Sequence, residues 1–186
     1  MRITGGIARG IPLKVGQGEG LRPATDRMRE AVFSSLGPAV EDAHVLDLFA
    51  GSGAYGLEAV SRGAAFCYWV ERHRRTSSML KANVAAVARS LQRMVTEIGV
   101  VVEGDALGFQ GADRIDLVFV DPPYALWRDR PDAVLQALER MLEGHDPQVV
   151  MEAPGETDLR WPGWELRRQL GKGRDQPNAF IWERAL

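Results

Sequence analysis

A single cysteine, Cys67, occurs in 186 residues, so no disulfide can close within the chain, and its place in an apolar run marks it as a small buried side chain. Histidine is nearly as scarce: His44, His73 and His145 lie far apart without ligand spacing, and no metal site is expected. No apolar run approaches the ~20 residues that a membrane-crossing helix needs. The first residues also lack the apolar segment of a secretory signal, so a cytoplasmic location with no membrane attachment is expected. An excess of positive charge is missing too. With 23 Lys and Arg against 25 Asp and Glu the net charge is −2, which weighs against a chain drawn to nucleic acid by its overall field. Lysine itself is rare, three against twenty arginines, and the basic residues gather near the two ends. Arg2, Arg9, Lys14, Arg22, Arg27 and Arg29 outnumber the acids of residues 1–30, and Arg167, Arg168, Lys172 and Arg174 stand without an acid between 167 and 174.

What remains is ordinary globular material, 45% hydrophobic and 26% charged, with no internal repeat or low-complexity linker; one domain over residues 1–186 is expected. The most informative stretch is the apolar run 115–120, which delivers Asp121, Pro122, Pro123 and Tyr124 into a loop. An aromatic amine is a poor nucleophile because its lone pair is delocalised, and a protein activates it by accepting hydrogen bonds from its N–H groups. Prolyl peptides offer carbonyl acceptors with φ already fixed, Asp121 adds a charged acceptor, and Tyr124 offers a face for a flipped-out base. The other reading is a strand ending in a rigid turn with a core tyrosine.

A second run, Val45 to Ala50, leads into Gly51-Ser52-Gly53-Ala54-Tyr55-Gly56, formally the G-x-G-x-x-G pattern that dinucleotide-binding folds share. A carboxylate at Asp47 would repel a pyrophosphate, whereas S-adenosylmethionine presents a sulfonium cation and an amino acid at that point. Glu71, ending the run from Phe66, can accept from ribose hydroxyls, and Asp105, following Val100 to Gly104, can accept from an adenine amino group. Four strands, each bringing an acid to its end, match the rule that open α/β sheets bind ligands beyond their carboxyl edges.

The pattern of the remaining chain alternates strand and helix. Arg2 to Val15 reads as two short extended pieces forming a small N-terminal β appendage, followed by the glycine-rich tract 16–20. Thr25 or Asp26 can cap a helix with an apolar stripe at Met28, Ala31, Val32 and Leu36, ended by Gly37-Pro38. Helices are expected over Ala54–Arg62, along Leu80, Val84, Val87 and Leu91, and along Val134, Leu135, Leu138, Met141 and Leu142. Strands are expected at Gln148–Glu152, Glu165–Leu170 and Phe180–Glu183, giving a Rossmann-like three-layer sandwich around a mostly parallel seven-stranded sheet.

Three blocks carry a family likeness over nearly the whole chain: Arg22 to Phe33, Leu46 to Ala59, and Asp121-Pro122-Pro123-Tyr124. The sequence resembles the class I S-adenosylmethionine-dependent methyltransferases and, within them, the RsmD family of 16S ribosomal RNA guanine-N2 methyltransferases. The resemblance implies that Asp47 and the turn residues Ala50, Gly51, Gly53 and Gly56 line the methionine end of S-adenosylmethionine, with Glu71 at its ribose and Asp105 and Ala106 at its adenine. It implies that Asp121 to Tyr124 form the methyl-transfer loop. The same likeness makes residues 1–24 a substrate-binding extension and Arg22, Thr25 and Arg27 substrate-placing residues. Trp127 is either a second stacking surface or a loop anchor. The expected partner is 16S ribosomal RNA, within a partly or fully assembled small subunit. Guanine offers N1–H and N2–H on one edge to a single carboxylate, but adenine-N6 enzymes also use Asp-Pro-Pro-Tyr, and a glutamine amide is a further acceptor. The family usually carries a Tyr-Gly pair before the last strand, where this chain has 171–177 as Gly-Lys-Gly-Arg-Asp-Gln-Pro.

Overall fold

The structure, a computed structural model, describes residues 1–16, 24–155, 157, 159–171 and 177–185. Seven strands form one sheet: β1 (His44–Leu48), β2 (Phe66–Glu71), β3 (Gly99–Glu103), β4 (Leu117–Val120), β5 (Gln148–Pro154), β6 (Trp164–Leu170) and β7 (Pro177–Arg184). Their order is β3-β2-β1-β4-β5-β7-β6. The first five run parallel, and β7 lies antiparallel between β5 and β6. Central strands covered on both faces should be apolar throughout, and β4 is buried at all four positions.

Side chains alternate between two cores. Val45, Cys67, Trp69, Leu117, Phe119, Val150 and Ile181 face one side, where they meet helices α1 (Ala24–Leu36), α2 (Ala54–Ser61) and α3 (Arg74–Ser90). Leu46, Leu48, Val70, Val118, Val120, Met151 and Trp182 face the other. There they pack with Val134 and Leu138 of a later helix, and with Trp161 stacked on Trp164 at 4.1 Å between ring centroids. Two short helical segments were not legible in the periodicity: α4 (Val95–Ile98) and α5 (Tyr124–Asp129), the latter followed directly by α6 (Pro131–Met141). Among the described residues no helix is long and apolar enough to cross a membrane.

The N-terminal residues correct one expectation. Instead of a separate β appendage, residues 1–16 make a single antiparallel bridge, Arg2 to Pro12, and otherwise lie as an irregular arm against α2 and α3. The arm has too few apolar residues for a sheet of its own, and Ile3, Ala8 and Leu13 instead enter the main core. Some of its backbone groups pair within the arm, as Ile3 does with Ile11 and Gly10, and others are satisfied by the body. Glu58, fully buried on α2, accepts from the Thr4 amide (2.8 Å) and hydroxyl (2.7 Å). Ser61 Oγ donates to the Gly5 carbonyl and accepts from the Ala8 amide. Asn83 on α3 takes the Lys14 amide and donates to both the Lys14 and Ser52 carbonyls.

Glu58 is also the anion of a buried ion cluster. Arg62 donates to it at 2.8 Å, and the Arg29 guanidinium, 1% exposed, lies 3.7 Å away while bonding Asp26 and the Arg2 carbonyl. Removing one partner of such a cluster leaves a buried charge uncompensated, at a cost of about 3–5 kcal/mol. Glu58→Ala is therefore expected to lower unfolding stability by about 3–5 kcal/mol in urea titration and to make residues 1–16 protease-sensitive under native conditions. A loss within 0.5 kcal/mol, with the arm still protected, would show that the cluster does not hold it.

Candidate active site

Strands β1 and β4 are neighbours in parallel register, with Leu48 opposite Val120, so Asp121 leaves β4 level with Phe49, the residue that follows β1. Adjacent strands lie about 4.8 Å apart. The glycine turn and the Asp-Pro-Pro-Tyr segment therefore emerge side by side at the carboxyl edge, where the chain order reverses between β1 and β4. This juxtaposition is the one that a shared cleft requires.

The turn begins earlier than the apolar run suggests. Strand β1 stops at Leu48 because Phe49 swings to φ 59°, a left-handed value that costs a residue with a side chain roughly 1–3 kcal/mol. The Ala50 amide still reaches back to the Val70 carbonyl at 3.0 Å, and the Gly53 amide closes on the Ala50 carbonyl at 2.6 Å. Gly51 and Gly53 hold φ of 53° and 79°, values that favour glycine, and a Cβ on Gly51 would meet nothing nearer than 3.8 Å. Gly56 serves a different purpose. A Cβ there would fall 2.3 Å from Trp69 Nε1 and 2.6 Å from Cys67 Sγ, so this glycine lets α2 sit close on the sheet.

Asp47 occupies the interior of β1 rather than its end, and it points inward. It is 3% exposed, and its carboxylate accepts the Gly56 amide at 2.9 Å, so it braces the turn from beneath instead of lining the cleft. Burial, with the Glu71 charge adding to it and the Gly56 hydrogen bond opposing, pushes its pKa up to about 8. Glu71, at the end of β2, holds the turn's other side. Its two oxygens accept from the Gly51 amide (3.0 Å) and the His73 amide (2.8 Å). A carboxylate has about four lone-pair sites, so two remain for ribose hydroxyls. Asp105 is exposed beyond β3, accepts the Leu107 amide at 3.2 Å, and sits beside buried Ala106. With the open Gly51 backbone, these two acceptors suit an adenosine-bearing ligand laid across the ends of β1, β2 and β3. A separate cleft lined by Leu107, Phe109, Gln110, Ile115, Arg140 and Met141 contains none of these turn or loop residues.

On the β4 side, Asp121 and Pro123 are exposed, Pro122 is buried, and Tyr124 is half-buried as the first residue of α5. Burial first, then the Glu152 and Asp121 charges, raise the pKa of the Tyr55 hydroxyl on α2 well above the usual phenol range. Trp127 resolves to the anchor alternative. It is 2% exposed and donates its indole N–H to the Glu152 carbonyl at 2.8 Å, so it has no face to offer a base. Arg22 lies outside the described residues, Thr25 and Asp26 fall within the first turn of α1 rather than before it, and Arg27 is exposed. The basic C-terminal run is partly neutralised, because Arg167 pairs with Glu183 at 2.7 Å and Glu165 at 3.1 Å; residues 172–176 lie outside the described ones.

Two residues gained no role from sequence, Tyr55 and Glu152, yet they meet beneath the site at 2.8 Å. The signal for Glu152 was present: it too is an acid following an apolar strand run.

Because the folded pKa of Asp47 is raised, its neutral form is favoured on folding. The stability it permits is complete near pH 4 and falls as pH rises towards about 8. Asp47→Asn keeps an acceptor for Gly56 and cannot ionise. The variant should gain stability relative to the parent protein between pH 5 and pH 8 in urea titrations. A pH-independent difference would disprove this account of the buried acid.

The chain matches the family model described as Conserved hypothetical protein 95 over residues 1–178. It is 44% identical over 126 residues to ribosomal RNA small subunit methyltransferase D of Escherichia coli K12, a match covering 67% of this chain and 60% of that protein's length. It is 33% identical to YlbH of Bacillus subtilis over 86% of this chain and 85% of that protein. Among solved structures, yhhF of Escherichia coli superposes with a TM-score of 0.81 at 36% identity, covering 99% of this chain and 97% of that one. The chain is therefore a member of the Conserved hypothetical protein 95 family, and its sequence aligns with the Escherichia coli methyltransferase D over 67% of its length and with YlbH over 86%.

Proposed function

We propose that the protein transfers a methyl group from S-adenosylmethionine to the exocyclic N2 amine of a guanine in small-subunit ribosomal RNA. The observation that supports this reading is the level emergence of Phe49 and Asp121 from adjacent strands, which brings the glycine turn beside the Asp-Pro-Pro-Tyr segment. The name of the Escherichia coli relative supports the RNA substrate. S-Adenosylmethionine would supply the methyl as an activated electrophile on sulfur. The chain's own task is placement. Gly51 leaves the cleft floor open, while Glu71 and Asp105 offer acceptors along the length of the ligand. The Asp121 carboxylate would accept the guanine N1–H and N2–H together, localising the nitrogen lone pair, and the prolyl carbonyls would fix the amine's direction. The bond formed is methyl carbon to N2, the bond broken is methyl carbon to sulfur, and the surplus N2 proton passes to Asp121 or water. Exposed Arg2, Arg9 and Arg27 lie on the arm and on α1, where they suit phosphate contacts, and a partly or fully assembled small subunit in the cytoplasm is the proposed partner.

Incubation with labelled methyl donor and small-subunit RNA, free or in particles, should place label in N2-methylguanosine. Label confined to adenosine or to protein glutamine would reject the guanine assignment. Asp121→Ala should leave cofactor affinity by calorimetry within about twofold while turnover falls by about 100-fold or more. Unchanged turnover would remove Asp121 from the mechanism.

A further inference from the structure

We propose that Glu152 is a positioning residue that, through the Tyr55 hydroxyl, sets the separation between the cofactor turn and the methyl-transfer loop. The inference rests on the methyl-transfer reading above.

Glu152 follows Met151, which pairs with Val120, so it leaves register level with Asp121 on the next strand. It is 4% exposed. Its side chain accepts the Tyr55 O–H at 2.8 Å, and its backbone carbonyl accepts the Trp127 indole N–H at the same distance. Tyr55 is the second residue of α2, two positions after Gly53; Trp127 lies on α5, three positions after Tyr124. One residue thus contacts the element that continues each loop. The Tyr55 ring adds a second tie. It stacks on Phe119 at 4.9 Å between centroids, and Phe119 precedes Asp121 by two on the same face of β4.

An apolar residue would fill the place of Glu152 without the cost of burying a charge. What the carboxylate contributes is a strong acceptor at a fixed point. Tyr55 is a dependable donor to it, because burial and the nearby Glu152 and Asp121 charges hold its hydroxyl well above the usual phenol range. The Tyr55 hydroxyl therefore stays protonated at any working pH. Removing either partner leaves the turn and loop individually intact but frees their relative placement. Methyl transfer is sensitive to that placement, since a displacement of about 1 Å can cost about a hundredfold in rate.

The test compares Tyr55→Phe, Glu152→Ala, Glu152→Gln and the double variant Tyr55→Phe/Glu152→Ala in the full chain. Tyr55→Phe and Glu152→Ala should each lower kcat by about ten- to a hundredfold, with the calorimetric Kd for S-adenosylmethionine changed by less than about threefold. The double variant should be no worse than the weaker single one, because both remove the same hydrogen bond. Glu152→Gln retains an acceptor and should recover most of the rate. Multiplied losses in the double variant, or a Glu152→Gln enzyme as slow as Glu152→Ala, would overturn the proposal. A second readout needs no RNA. In the unaltered protein S-adenosylhomocysteine should slow amide exchange across 124–129, and in Tyr55→Phe that response should disappear; a response of equal size would also overturn it. Failure of the RNA assignment alone would leave this exchange result standing, whereas absence of S-adenosylhomocysteine binding would end both readings.

Discussion

The parallel pairing of β1 with β4 is the constraint on which the site depends. Chain order places β2 and β3 to one side of β1 and everything after β4 to the other, so the two strands meet where the winding reverses. Helices connecting parallel strands must cover the faces, which leaves this edge uncovered at the point of reversal. Register does the rest: with Leu48 opposite Val120, neither following segment has to bend far to face the other. A shift of one residue would turn Asp121 to the opposite face of the sheet, away from Tyr55 and α2.

Burial of acidic side chains is concentrated on that same face. Asp47, Glu58, Glu71 and Glu152 are all within 8% of full burial, and each has a named hydrogen-bond donor. Three of the donors to Asp47, Glu71 and Glu152 belong to the turn or to α2: the Gly56 amide, the Gly51 amide and the Tyr55 hydroxyl. The turn and the start of α2 are thus tied to three carboxyl groups of the sheet. Lost hydration is the general cost of burying such acids, and pre-organised geometry is the return.

Much of this was legible before any coordinates. The expected strands overlap all seven observed ones, β6 among them although it is largely polar and exposed, and the glycine spacing with the acids at Glu71 and Asp105 pointed to the carboxyl edge. Periodicity could not show that β1 would end at Leu48, because a left-handed phenylalanine is decided by the closure of the turn and carries no local pattern. For that reason Asp47 looked like a residue of the cleft, although it lies inside a strand with its side chain directed to α2. Trp127 was open between two roles because an indole suits either; only the position of the Glu152 carbonyl decides between them. The arm was the least legible part. Its two extended pieces pair only with each other, through one bridge, and the groups that hold it, Glu58, Ser61 and Asn83, read in sequence as ordinary polar positions on helices.

Those holding groups lie 53 to 69 positions along the chain from the arm residues they bind. Contacts that distant return no free energy until α2 and α3 stand in place on the sheet, so docking of the arm depends on the fold of the body. Because Asn83 bonds both Lys14 and the Ser52 carbonyl, a single side chain joins the arm to the glycine turn, and a change at that one position reaches both.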